Sequence, residues 1–392
     1  MRKSNNSVAT NSACPVCEAH GRPLINLANY PLTEVYQKFG KNSFPYPVCY
    51  DQGLNFCEEC SHGYLNTLLP RNFIYENYNT HTASSIGSIA AINNFYKFIT
   101  GHLKEKHSVI IDIGANDATL LKKFKHANAK LIGVDPNVNS DDPEIECING
   151  YIEDVDICKF GAANKLFLCS HTLEHIFNPA EFLAKLHGVA TAGDEFFFQF
   201  PSLDLLIRDG RFDQVHHQHV QYFSLHSFSK LLRQSGFELV AHCFDADHYG
   251  TLMSYFRKKD EGVSQSLLGG RYVSSQILLA YRTFTAALTG ANQRLEIDQR
   301  GFSCYGASLM LPILSFYMPN LIKAEVILDS NRDKFGMSYV NFDVRITDAG
   351  DFDYTNTNIV VTAISTKLAT RKIVRNLVDV GAQNIILPYN TL

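Results

Sequence analysis

Residues Ser108 to Pro136 read S-V-I-I-D-I-G-A-N-D-A-T-L-L-K-K-F-K-H-A-N-A-K-L-I-G-V-D-P. Val109 to Ile113 is a short apolar, β-branched run fit for a buried strand. Gly114-Ala115-Asn116-Asp117 is a turn feeding a helical pattern from Ala118 through Leu121. A second strand, Leu131 to Val134, ends in Asp135 and Pro136. In βαβ units an acid at that point accepts hydrogen bonds from a ribose. Small residues at 114, 115 and 118 let the backbone approach a ligand, while Asp112 and Asp117 add negative charge at the strand tip.

That sign selects among ligands. A dinucleotide pyrophosphate wants helix-terminal N–H groups without carboxylates beside them. The sulfonium and amine of S-adenosylmethionine are cationic and tolerate or prefer acid neighbours. The chemistry therefore favours S-adenosylmethionine over NAD.

A chain of 392 residues exceeds one average core, so two or three domains are expected. Hydrophobic residues make up 45% and charged residues 19%, an ordinary globular composition. A formal charge of −4 gives no basic excess for nucleic acid or an anionic membrane. The first residues, Met1 to Asn6, lack an apolar core of a leader, and no window approaches the roughly 18 apolar residues that span a bilayer. A cytoplasmic protein is expected. In a reducing compartment its ten cysteines are metal ligands or buried thiols rather than disulfides.

Residues 1–13, rich in Ser and Asn, read as a disordered tail. Cys14-Pro-Val-Cys17 and Cys57-Glu-Glu-Cys60 then form two C-x-x-C knuckles. Each knuckle places two thiolates on one tight turn, and together they complete a tetrahedral structural zinc site within a module spanning 14–74. Cys49 and His62 could substitute as ligands, but Cys49 lies outside a knuckle and His62 follows one too closely, so the expected set is the four knuckle cysteines. Tyr75 to Ser85, with Tyr78 and His81, reads as a polar loop that reaches a cleft or turns at the surface.

Ile89 to His102 is helical in pattern. After a third strand come Gly150 and Tyr151, whose ring can lie against adenine. Leu166 to Cys169 is a fourth strand ending at Ser170-His171-Thr172-Leu173-Glu174-His175, and Glu195 to Phe200 is a fifth. Strands separated by helices describe an α/β, doubly wound parallel sheet with its ligand at the carboxyl ends of the strands. Glu174 and His175 also fit the solvated start of a helix.

Phe212 to Ser224 is the densest chemical segment, with His216, His217, His219 and Tyr222 together. Three imidazoles beside a tyrosine suit proton transfer near neutral pH, or polar packing beneath a helix that Ser224 caps over Leu225 to Gln234. A metal is disfavoured, because no acid or cysteine sits at natural ligand spacing nearby. Asp245 to Thr251, with His248, is a second polar loop at the end of a unit spanning 75–262. Residues 263–298 form a mostly helical connector. From 299 to 392 a new βα unit begins, with Phe302 to Ser308 and Val326 to Asp329 echoing the central pattern. The cleft between two such α/β domains is the natural place for a second substrate.

The four-cysteine module, the D-I-G-A-N-D-A turn, the H-x-H-x-x-Y-F-S segment and the C-terminal Y-G-A-S unit together resemble the three-domain nucleotide-sugar C-methyltransferases. The likeness covers nearly the whole chain. It implies a central Rossmann-like class I methyltransferase domain that holds S-adenosylmethionine, an N-terminal zinc-binding module and a C-terminal Rossmann-like domain that binds substrate. It further implies methylation of a carbon, C3, of a nucleotide-linked 4-keto deoxysugar. The family's Y-H-E-H-x-x-Y-F-S motif matches His217, His219, Tyr222, Phe223 and Ser224, with His216 in place of the tyrosine and Gln218 in place of the glutamate. Ala118 stands at the usual third glycine and Asp112 at a glutamate.

By this resemblance His219 is the base, Tyr78 and His248 are donors or reprotonating acids, and His216, His217 and Tyr222 complete the catalytic segment. The cofactor set is Asp112, Gly114, Ala115, Asn116, Asp117, Leu120, Asp135, Pro136, Gly150, Tyr151, Ser170, His171 and His175. A monomer is expected, with no nucleic acid or membrane partner. The same residues leave open O-methylation of a nucleotide sugar and non-catalytic binding.

Overall fold

The structure, a computed structural model, describes residues 9–41, 47–70, 82–84, 86–161, 164–246, 250–259, 266–298, 300–364 and 367–389. The N-terminal module contains strands Ala9–Thr10 (β1), Arg22–Pro31 (β2), Tyr36–Lys38 (β3), Cys49–Cys57 (β4), His62–Leu65 (β5) and Thr67–Leu68 (β6). β2, β4 and β5 pair antiparallel and bury Ile25, Leu27, Leu54, Phe56 and Leu65 on one face. The tail expected over residues 1–13 is corrected for its last five residues. β1 pairs with β6, and the Tyr64 hydroxyl donates to the Ser12 carbonyl at 3.1 Å.

The middle domain opens with helix Ile86–His102 (α1), followed by Val109–Ile113 (β7), Lys130–Asp135 (β8), Ile145–Asn149 (β9) and Lys165–Ser170 (β10). Then come helix Pro179–Val189 (α2), strand Glu195–Pro201 (β11), helix Leu203–Asp209 (α3), strand Gln221–Tyr222 (β12), helix Leu225–Gln234 (α4), and strands Phe237–Asp245 (β13) and Thr251–Lys258 (β14). Seven strands form one sheet in the order β13-β14-β11-β10-β7-β8-β9, parallel except for β14, which runs antiparallel to both neighbours.

Period-two alternation decides which face each side chain meets. Val109, Ile111 and Ile113 join Phe167, Phe196, Phe198 and Phe256 on one face. Ile110 joins Leu166, Leu168 and Phe197 under α1 on the other. Asp112 therefore points into an apolar layer. The helix expected from Ala118 is instead a 3₁₀ run over Leu121–Ala127, because Ala118 is left-handed (φ 57°) and left-handed Asn128 ends the run just before β8. Ser224 caps α4 as expected, and Ser227 returns the bond in a capping box.

Helix Ser274–Ile297 (α5) bridges to the C-terminal domain and buries Ile277, Phe284, Leu288, Ala291 and Leu295 along one stripe. That domain contains Phe302–Tyr305 (β15), helix Leu311–Tyr317 (α6), Ile327–Asp329 (β16), Met337–Tyr339 (β17), Ile346–Asp348 (β18), Asn358–Val361 (β19), helix Lys367–Asp379 (α7) and Asn384–Ile386 (β20). Its parallel sheet has the order β18-β16-β15-β19-β20, a Rossmann-like doubly wound arrangement.

Two short strands stitch the domains. β12, directly after the histidines, pairs antiparallel with β5 and becomes the edge of the N-terminal sheet. β17 pairs antiparallel with β3, bringing the Tyr36 and Tyr339 rings to 4.8 Å. Cuts at 74 and 262 thus divide the sequence more cleanly than the fold.

Candidate active site

A cleft opens at the carboxyl ends of β7 to β11. Gly114 and Asn116 line it after β7, Asp135 and Pro136 after β8, and Gly150 and Tyr151 after β9. Ser170, His171, Glu174 and His175 follow β10, and Gln218 and His219 come from the histidine segment. Thr82 and Ser88 close one side. Glu34 from the N-terminal module and Leu309 and Met310 from the C-terminal domain close another.

The turn after β7 alternates into left-handed backbone at Gly114 (φ 79°), Asn116 (φ 49°) and Ala118 (φ 57°). At Gly114 the glycine is required twice over, since a Cβ there would fall 1.8 Å from the Thr172 hydroxyl. Its N–H donates to the Val134 carbonyl at 2.8 Å, fastening the turn to β8. Asp135 accepts from the Asn116 N–H at 3.2 Å and from the Asn137 N–H at 2.7 Å. Burial raises its carboxyl above the ordinary value. Lys185 secures the next loop by donating to the carbonyls of Ile152, Glu153 and Val155 at 3.4, 2.7 and 2.8 Å.

The acid pattern differs from the one the sequence suggested. Asp112 is 2% exposed and sits beneath the turn. Burial, then the charges of Asp135 and Asp117, push its carboxyl well above the ordinary range. Asp117 accepts from the Thr119 N–H and hydroxyl at 3.2 and 2.6 Å and from the Ala83 N–H at 2.7 Å, anchoring the loop. Ala115 and Leu120 belong to the core under α1. The carboxylates on the cleft wall are Asp135, Glu153, Glu174 and Glu34. Glu174, which in sequence fits either the ligand edge of the sheet or a helix start, lies on that edge, and Glu34 carries no local signal for the site.

Only His219 of the three clustered histidines lines the cleft. His216 is 1% exposed and stands behind it with ring centroids 4.1 Å apart, and His217 is 4% exposed. Burial, then neighbouring imidazoles, hold His219 well below the ordinary imidazole value, so it is neutral with an available lone pair. Tyr222 lies in the core, its hydroxyl 3.4 Å from the Gln214 carbonyl and 3.3 Å from the His216 N–H. It holds the segment's shape from outside the cleft. His175 donates from Nδ1 to the Gln218 carbonyl at 2.7 Å, and its ring is 5.2 Å from His219. Tyr78 and His248 lie outside the described residues.

Cys14, Cys17, Cys57 and Cys60 converge in the N-terminal module. Sγ distances of 3.5 Å link Cys14 to Cys60 and Cys17 to both Cys57 and Cys60. Sulfurs ~2.3 Å from a shared tetrahedral ion would lie somewhat under 4 Å apart, so this donor set fits a thiolate-bound cation. His62 is elsewhere engaged, with Nε2 2.9 Å from Gln221 Oε1.

The seven-stranded order with antiparallel β14, and a cleft at the carboxyl edge, define a Rossmann-like class I methyltransferase fold. Residues 90–242 match the family model of a methyltransferase domain. Among curated proteins it is similar to the C-methyltransferase NovU of Streptomyces niveus, with 25% identity over 228 residues. That match covers 55% of this chain and 52% of the relative, so the chain spans about half the length of the curated protein it matches. Among solved structures, Burkholderia thailandensis 1,6-didemethyltoxoflavin-N1-methyltransferase, with S-adenosylhomocysteine bound, is 16% identical. The match covers 44% of this chain and 79% of that one at a TM-score of 0.35. Human N-acetylserotonin methyltransferase in complex with SAM is 15% identical, with coverage of 45% and 57% and a TM-score of 0.34.

Proposed function

We propose that the protein is an S-adenosylmethionine-dependent methyltransferase that adds a methyl group to a carbon, C3, of a nucleotide-linked 4-keto deoxysugar. The observation that carries this reading is a half-buried, neutral His219 on the wall of the cleft that Gly114 and Asn116 of the turn after β7 also line. A carbonyl acidifies the neighbouring C–H, and a neutral imidazole held within ~3 Å removes that proton. The resulting enolate carbon is the nucleophile, and its oxygen needs hydrogen-bond donors. Bound S-adenosylmethionine supplies an electrophilic methyl group.

This chain's residues hold the reactants. Gly150 and Tyr151 offer an adenine shelf, Asp135 a ribose acceptor, and Glu34, Leu309 and Met310 a wall where the sugar enters from the domain junction. The relative's description as a C-methyltransferase supports carbon as acceptor. The four cysteines hold a structural zinc ion in the same proposal. Incubation with methyl-13C cofactor and a panel of nucleotide-4-ketohexoses tests it. A product methyl carbon in the aliphatic NMR range is expected, a methoxy signal shifts the reading to O-methylation, and binding without S-adenosylhomocysteine release overturns catalysis.

A further inference from the structure

The cleft floor holds a second set of matched groups. Glu174 is 1% exposed, and neither carboxylate oxygen has a hydrogen-bond partner among the described residues. His171 Nδ1 lies 3.3 Å from Oε1, and His175 Nε2 3.9 Å from the same oxygen. A carboxylate buried with so little donation favours a cation beside it.

The hydrogen bond from His175 Nδ1 to the Gln218 carbonyl fixes the ring with Nε2 turned to the Glu174 side. An imidazole fixed through its far nitrogen by a backbone carbonyl is how proteins orient a metal ligand. His219 completes the set, its Nδ1 buried and without a hydrogen-bond partner among the described residues. One ligand atom each from Glu174, His175 and His219 lies within 4.8 Å of the others. Ligands bound at ~2.1 Å sit about 3 to 3.5 Å apart, so rotations of about 1 Å would close the set. Two imidazoles and a carboxylate, with the cleft open on the far side, suit a first-row divalent cation.

We propose that Glu174, His175 and His219 form a divalent-cation site on the cleft floor, and that its occupation inhibits the enzyme by taking the His219 lone pair that proton abstraction needs. The inhibitory half rests on the base assignment above; cation binding does not. The four-cysteine site is no competitor for a hard probe, because thiolates select zinc over manganese.

The test uses Mn2+ alone as probe on the full chain, read by loss of its free-ion EPR signal. About one ion bound per chain is expected, with at least ~10-fold weaker binding in Glu174→Gln, the loss of one ligand from three. His175→Gln serves as a second variant, and thermal unfolding checks that each is folded. No bound Mn2+ in wild type, or undiminished binding in both folded variants, overturns the site. Turnover of a ketosugar should fall with occupancy and return on chelation. Unchanged turnover at full occupancy overturns the inhibitory half. Bound Mn2+ with no turnover on any ketosugar, even after chelation, counts against the proposed substrate and upholds the cation site.

Discussion

His62 Nε2, two residues beyond the second cysteine knuckle, lies 2.9 Å from Oε1 of Gln221, two residues beyond His219. Burial lowers His62 to about 4, so the ring is neutral and serves as a hydrogen-bonding strut. Gln221 passes the connection on, its Nε2 donating to the carbonyls of Ile176 and Phe177 at 3.0 and 3.2 Å. The Val220 N–H donates to the Glu174 carbonyl at 2.8 Å. The candidate base therefore hangs between the four-cysteine module and the cleft floor.

Loss of one thiol should release the ion and slacken that suspension. Cys57→Ser is expected to lower bound zinc from one per chain to a trace by elemental analysis and to depress the melting temperature, since binding energy in such a site is folding energy. An unchanged melt and metal content would remove zinc from the account.

His219→Asn keeps the side chain's size and removes its basic nitrogen. Turnover should fall about 10²- to 10⁴-fold, the usual contribution of a general base, while cofactor affinity by calorimetry stays near wild type. Full turnover in the variant would refute the assignment.

Lys185 acts from behind the proposed adenine shelf, where three carbonyls share its ammonium. Hydrogen bonds to a charged group contribute about 1.5 to 3 kcal/mol, so Lys185→Met should raise KM for S-adenosylmethionine roughly 10-fold. Steady-state kinetics should show kcat nearly unchanged; a fall confined to kcat would contradict a purely positioning role.

Ala118 occupies left-handed backbone that glycine adopts without steric cost. Ala118→Gly should stabilise the protein by about 1 kcal/mol in chemical denaturation, offset in part by the greater freedom of glycine when unfolded. A destabilised variant would show that the alanine methyl's packing in the core outweighs the relief.

Asp112 yields a pH prediction with a definite sign. Its folded carboxyl titrates well above the ordinary value of 3.8, so between those pH values the folded state binds more protons than the unfolded chain. Stability therefore falls as pH rises through that window, by about 1.4 kcal/mol per unit, and does not fall below it. Asp112→Asn should raise the melting temperature at pH 8, with the gain shrinking toward pH 4. A pH-independent difference would assign the effect to packing.

What the sequence revealed tracks what is local. The strands at Val109, Leu131, Leu166 and Glu195 are apolar runs with turn residues at their ends, and the Ser224 cap is a four-residue pattern. β13 escaped notice because its outer half is an exposed edge bearing His242, Cys243 and Phe244, which disguises the alternation. β12 is two residues long and exists only through a partner some 160 positions earlier. Tyr222 looked chemical by its neighbours yet is core, and Glu174, which fitted the cleft edge or a solvated helix start equally, is buried on the cleft edge. In both, the deciding contacts come from distant chain. The wall at Glu34, Leu309 and Met310 is of that kind, since no local spacing could place it in one cleft with Gly114.

Strand donation from the histidine segment to the N-terminal sheet makes the chain hard to dismember. Deleting everything before residue 75 would strip β12 of its neighbour, bare the β-edge at Gln221 and Tyr222, and leave the candidate base on an untethered arch. The shortened chain should be prone to self-association and poorly active even with the turn after β7 intact, so the cysteine-bearing module is the jig that holds the candidate base in place.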